Sequence, residues 1–122
     1  ILREVTQQLG SQPDKESEIH GDVRLDEGVK IKRSILRGPC VVGSGTEIID
    51  SYVGPFTSIG ANSRIVNSEV ENSIILEDCT ICDIGSRIGS SLIGRNVTVE
   101  RTNKPPRAYK LMVGDNSQIT LY

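Results

Sequence analysis

Aliphatic residues recur along this chain at a fixed period. Val42-Gly43-Ser44-Gly45-Thr46-Glu47-Ile48 runs aliphatic, glycine, two small or polar residues, a small side chain, a polar residue, then aliphatic again. Ile59-Gly60-Ala61-Asn62-Ser63-Arg64-Ile65 repeats that grammar 17 residues later. Stepping by 17 from Leu25 gives Val42, Ile59, Leu76 and Ile93, and a second column gives Ile31, Ile48, Ile65, Cys82 and Val99. A third reads Leu36, Val53 and Val70, then breaks at Arg87, where Ile88 is the nearest substitute. The internal steps are six, five and six residues. A period this short cannot hold a pair of helices, so each repeat is one turn of a solenoid.

Strand geometry explains the pattern. Three short strands per turn make a triangle, each pointing one aliphatic side chain inward, and successive turns pair like a parallel sheet about 4.8 Å apart. Residues one turn apart therefore stack. Gly43, Gly60 and Gly94 follow the stacked aliphatic at a corner where a Cβ would be costly. The narrow shaft requires a small inward residue two places before the next aliphatic: Val29, Thr46, Ser63, Thr80 and Val97. Ser34, Ser51 and Ser68 lie 17 apart and predict a ladder of hydroxyls bonded to local backbone at one corner.

Taken in order, Ile1, Leu2, Val5 and Leu9 fall on one helical face that Gly10 would stop. Residues 11–18 read as a polar linker, and the solenoid proper runs over 19–122. Ile19, Val23, Leu25, Val29 and Ile31 predict an irregular first turn suited to capping. Between Leu76 and Ile93 the total length holds but the register is ambiguous, because Leu76, Ile81, Ile84 and Ile88 compete for two inward positions. A basic loop with Pro105 and Pro106 follows over residues 101–110. Val113-Gly114-Asp115-Asn116-Ser117-Gln118-Ile119 is a last hexapeptide able to close the end. The fold class is thus all-β: a parallel β-helix of about five turns, with a short N-terminal helix and a loop before the last turn.

Composition fits one domain. Aromatic content of 3% is low, as a thin shaft packed with Ile and Val would have it. A net charge of −2 and a pI near 5.4 argue against nucleic-acid or anionic-membrane surfaces. No apolar run reaches the length of a membrane span. Three cysteines without framework spacing suit a reducing cytoplasm. A first residue other than Met, followed by what reads as a helix in progress, leads us to expect part of a longer protein.

The arrangement resembles the carboxy-terminal left-handed β-helix of sugar nucleotidyltransferases, above all the long-form glucose-1-phosphate thymidylyltransferases. The likeness is carried by Ile35-Leu36-Arg37-Gly38-Pro39, Asp50-Ser51-Tyr52-Val53-Gly54-Pro55-Phe56-Thr57-Ser58-Ile59-Gly60 and Glu71-Asn72-Ser73-Ile74-Ile75-Leu76. Ser91-Leu92-Ile93-Gly94-Arg95-Asn96 and Leu111-Met112-Val113-Gly114-Asp115-Asn116-Ser117 add to it. The left hand is itself an implication of this resemblance, since parallel crossovers are usually right-handed. The family's Gly-rich nucleotide loop and Mg²⁺-holding carboxylates belong to an amino-terminal domain, and nothing here matches them. The resemblance therefore implies a parent enzyme that binds dTTP and glucose 1-phosphate and uses Mg²⁺ in that other domain. This part would carry no catalytic residue or cofactor of its own, and would serve assembly or regulation.

Left-handed β-helices also form CoA-dependent acyltransferases, which use a histidine between subunits as general base. His20, the only histidine, lies at the entry to the solenoid, outside the regular turns. A carbonic-anhydrase version needs several histidines per metal. Cys79-Thr80-Ile81-Cys82 has redox or zinc spacing, but without a second pair it reads as core or corner cysteines, as does Cys40. Arg37, Arg64 and Arg95 read as isolated outward charges. Lys104, Arg107 and Lys110 are the candidates for contact with a phosphate-bearing effector or another subunit. Tyr52, Phe56 and Ile74 on flat solenoid faces favour a homo-oligomer, with three copies expected. The parent could also be a uridylyl, guanylyl or adenylyl transferase, since base-reading residues would lie elsewhere.

Overall fold

The computed structural model describes residues 7–9, by their backbone, and 13–121. Their strands form three parallel sheets, the three faces of a prism. The first face stacks Gln7–Leu9, Val23–Leu25, Cys40–Val42, Thr57–Ile59, Ile74–Ile75 and Leu92–Ile93. The second stacks Lys30–Lys32, Glu47–Ile49, Arg64–Val66, Thr80–Cys82 and Thr98–Glu100. The third stacks Glu18–His20, Ile35–Arg37, Tyr52–Val53, Glu69–Glu71 and Ile88–Gly89. Five turns of hexapeptide β-helix result.

Register aligns the inward side chains as the repeat demands. Leu25, Val42 and Ile59 stack on the first face, Ile31, Ile48 and Ile65 on the second, and Ile19, Leu36, Val53 and Val70 on the third. Val42, Ile48, Val53, Ile65 and Val70 are completely buried. Each buried aliphatic contributes about 1.5–3 kcal/mol, and with so few aromatics these columns are the core. The first turn is not irregular: Val23, Leu25 and Ile31 sit in full register with the turn above. It is also covered, because Gln7–Leu9 pairs parallel with Val23–Leu25. The expected helix therefore does not reach Leu9. Ile1, Leu2, Val5 and Gly10 lie outside the described residues.

The fourth turn corrects three assignments. Ile75, not Leu76, pairs with Ile59 and points inward; Ile81, not Cys82, pairs with Ile65; Cys79, not Thr80, is the small inward residue. The cause is a shorter corner. From Val53 to Ile59 the chain takes six residues through Gly54, Pro55 and Phe56, whereas from Val70 to Ile75 it takes five, turning at Asn72 with φ 49°. Everything after Asn72 consequently runs one place early. The step from Ile81 to Ile88, seven residues instead of five, overshoots the deficit by one, and a second five-residue corner from Ile88 to Ile93 restores the count. Ile84 donates its backbone N–H to Ser68 Oγ at 3.3 Å, and Arg87 turns outward while Ile88 pairs with Val70.

The serine ladder forms as expected. Ser34 Oγ donates to the Lys32 carbonyl at 2.8 Å and accepts the Ser51 amide at 3.1 Å; Ser51 Oγ repeats this with Ile49 and Ser68. The other two corners carry ladders as well. Thr46 Oγ1 accepts the Ser63 amide, Ser63 Oγ accepts the Cys79 amide, and Ser73 Oγ accepts the Ser91 amide. These hydroxyls satisfy corner amides that would otherwise be buried without partners. Left-handed corner residues are mostly Asp, Asn and Gly, which tolerate that conformation best; Arg33 and Phe56 are the bulky exceptions.

Residues 101–121 form no strand and are exposed throughout. The hexapeptide at 113–119 therefore does not close the end of its own shaft. Pro105 and Pro106 fall near where the next third-face strand would begin, and neither has an N–H for the ladder.

Candidate functional site

The turns place few reactive groups together. His20 lies on the first strand of the third face rather than in a linker; it is exposed, with Nε2 3.2 Å from a Glu18 carboxylate oxygen. Among the described residues no three His, Cys, Asp or Glu side chains gather as a metal-binding group. The two cysteines of the CxxC stretch diverge. Cys79 is buried at a corner with Sγ 2.9 Å from the Gly94 carbonyl, while Cys82 sits on an outward flank and is half-buried. Burial, with Asp22 nearby, pushes the Cys40 thiol up to about 12. Burial also raises Cys82 above the usual thiol range. Only thiolates react readily. Cys40 and Cys79, both buried, should stay out of reach of a thiol reagent at pH 8 until the protein unfolds, and half-buried Cys82 should be the first to react. A fast-reacting Cys40 in the native state would contradict the packing.

Lys104, Arg107 and Lys110 all lie on the exposed strandless segment, and none is buried. The arginines expected to be isolated are mostly not so. Arg64 Nε lies 3.7 Å from Glu47 and Arg95 Nε 3.2 Å from Glu77, each pairing one turn with the one before. A lone charge becomes a partner when the stacking of turns brings position i beside i − 17 or i − 18, which the linear sequence does not display. Arg33 does the same with Asp50 at 2.6 Å and, through that hydrogen bond, holds the Asp50 carboxyl below its ordinary range. Surface pairs of this kind add little stability each.

The outward surfaces of the three faces differ in character. On the third, the Arg87 guanidinium lies 4.7 Å over the Tyr52 ring and bonds Glu69 at 2.8 Å and Glu71 at 3.0 Å. Tyr52 is therefore half-covered by its own chain. The first face instead presents an apolar stripe. Val41, Ile74 and Leu92 occupy its outward centre positions with 43%, 50% and 73% exposure, in register with Ser58. Phe56, 70% exposed, stands beside them over a shallow open hollow lined also by Asp22, Arg24, Pro39 and Val41. Phe56 and Ile74 thus share a surface, and Tyr52 does not. Val41 and Leu92 escaped the sequence reading, although both sit on the alternate positions that a strand turns outward.

No family-wide sequence profile matches the chain. Individual relatives do. The chain is 39% identical over 121 residues to a glucose-1-phosphate thymidylyltransferase of Streptomyces antibioticus, covering 99% of this chain and 34% of that protein. It is 42% identical over 105 residues to the glucose-1-phosphate thymidylyltransferase of Streptomyces griseus, covering 86% and 29%. A low-salt glycan biosynthesis nucleotidyltransferase, Agl11, of Haloferax volcanii is 38% identical over 72 residues, covering 58% and 20%. The chain spans about a third of the length of the curated relatives it matches.

Proposed function

We propose, from the premise that this chain belongs to the sugar nucleotidyltransferase family as its carboxy-terminal left-handed β-helix domain, that it assembles and regulates a glucose-1-phosphate thymidylyltransferase. The parent reaction would transfer thymidylyl from dTTP to glucose 1-phosphate and release pyrophosphate, in a domain that holds Mg²⁺. Catalysis of that type rests on positioning and neutralising phosphates. The likeness in sequence to two thymidylyltransferases supports this parentage.

One observation carries the assembly role: the stripe of Val41, Phe56, Ile74 and Leu92 on the first face. Large apolar side chains exposed along one face of a regular sheet mark a contact surface. Three copies meeting through these faces is the arrangement we favour, in the cytoplasm. Free cysteines suit that compartment, and among the described residues no helix is long and apolar enough to cross a membrane. Lys104, Arg107 and Lys110 would then serve a neighbouring subunit or a phosphate-bearing effector.

Light scattering tests this. The chain of 13.3 kDa should scatter with the mass of a trimer, and Ile74→Asp should dissolve the trimer while leaving the melting transition intact, since Ile74 is half-exposed. A monomer at millimolar concentration sinks the reading. An acyltransferase role predicts acetyl-CoA binding instead; the pairing of exposed His20 with Glu18 within one chain gives that no support.

A further inference from the structure

The fifth turn is shaped for a rung that its own chain does not place there. At Gly43 an added Cβ would lie 2.5 Å from the Ala61 backbone, and at Gly60 2.7 Å from that of Glu77; each glycine is needed because the next corner presses on it. Gly94 occupies the same place after Ile93 and has nothing within 4 Å. Among the described residues, strands Leu92–Ile93 and Thr98–Glu100 are paired on one side only, and Ile93 and Val99 are only partly buried.

The chain holds one unused hexapeptide. Residues 113–119 carry the same grammar as Ile93-Gly94-Arg95-Asn96-Val97-Thr98-Val99. Their corner is already formed, with Asn116 at φ 59° beside 58° for Asn96 and 57° for Asn62. Yet Val113 and Ile119 are 51% and 46% exposed, and Met112 next to them is 89% exposed. The chain does not carry this segment onto its own end. Eleven residues separate Ile48 from Ile59 through a third-face strand, whereas fourteen separate Val99 from Val113, with two prolines and no strand between.

We propose that residues 113–119 of one copy seat as a sixth rung on the open fifth turn of a second copy, so that assembled chains cap one another. This deepens the assembly reading above and rests on it, because copies joined face to face present their open ends at one level. The exchange buries Val113 over Ile93 and Ile119 over Val99, places a corner against Gly94 and pairs the unused strand edges.

Stacking Ile119 on Val99 sets Gln118 beside Thr98, within disulfide reach at the spacing of neighbouring strands, about 4.8 Å. Both residues are exposed, so replacing them leaves the shaft unchanged. Chains carrying Cys82→Ser with either Thr98→Cys or Gln118→Cys should form disulfide-linked dimers when mixed and oxidised, and neither should do so alone. A mixture without dimers overturns the exchange. So does a Thr98→Cys/Gln118→Cys double variant that links only within single chains. Light scattering on the same samples separates the two proposals: oligomers without cross-links sink the exchange alone, and monomers throughout sink assembly too.

Discussion

Ile65→Asp should leave the protein unable to fold. Ile65 is completely buried at the middle of the second-face column, paired with Ile48 below and Ile81 above. Truncation to alanine at such a site costs about 2–5 kcal/mol. A carboxylate there would also meet no cation inside the shaft, adding several kcal/mol of uncompensated desolvation. Domains of this size have only about 5–15 kcal/mol to lose. The expected outcome is insoluble protein, or soluble protein without a cooperative melt in circular dichroism. Ile65→Val, costing about 0.5–1.5 kcal/mol, should remain folded and report the graded loss. A soluble, cooperatively melting Ile65→Asp chain would refute the stacked shaft.

Gly60→Ala should destabilise the shaft although it adds only a methyl group. Its backbone does not need glycine for a positive φ; the new Cβ would instead press on the Leu76 and Glu77 backbone at 2.7 Å. Backbone held by ladder hydrogen bonds on both sides cannot yield as a flexible side chain would. Overpacking of this kind costs about 1–3 kcal/mol or more. Gly94→Ala has open space around it and, in a chain shortened to end at Glu100, should change the unfolding free energy by no more than about 0.5 kcal/mol. Urea unfolding of the two variants provides the comparison. Equal losses would mean that the pressing neighbour at Gly60 is not the reason for the glycine.

Much of this architecture is legible in the sequence because a narrow shaft leaves little choice. Where one aliphatic stands between polar neighbours, as at Leu25, Ile31 and Val70, only one residue can face in. The reading slips at Ile74-Ile75-Leu76, where three aliphatics in a row allow two registers, and a slip of one residue exchanges the faces. The shortened corner at Asn72 decides the matter, and nothing in the aliphatic spacing announces it. The three ladders were one-third visible: serines at constant spacing stand out, whereas Thr46, Ser63 and Cys79 share a role without sharing a residue type. The candidate surface was less legible still. Outward positions are free to vary, so Val41 and Leu92 look incidental until stacking sets them in line with Ile74. The ion pairs of Arg64 and Arg95 are hidden for the same reason.

The compensated corners have a consequence for length. Steps of 16 and 18 residues, from Ile59 to Ile75 and from Ile75 to Ile93, together restore two whole repeats. Since each coil touches only the coils beside it, a duplicated block of 17 residues would lengthen the rod by about 4.8 Å and keep every side chain on its bearing. A block that does not amount to a whole number of coils would rotate whatever follows about the axis. The prism is thus a gauge graduated in single coils, and the distance between its two ends can be reset by evolution or by design only in those increments.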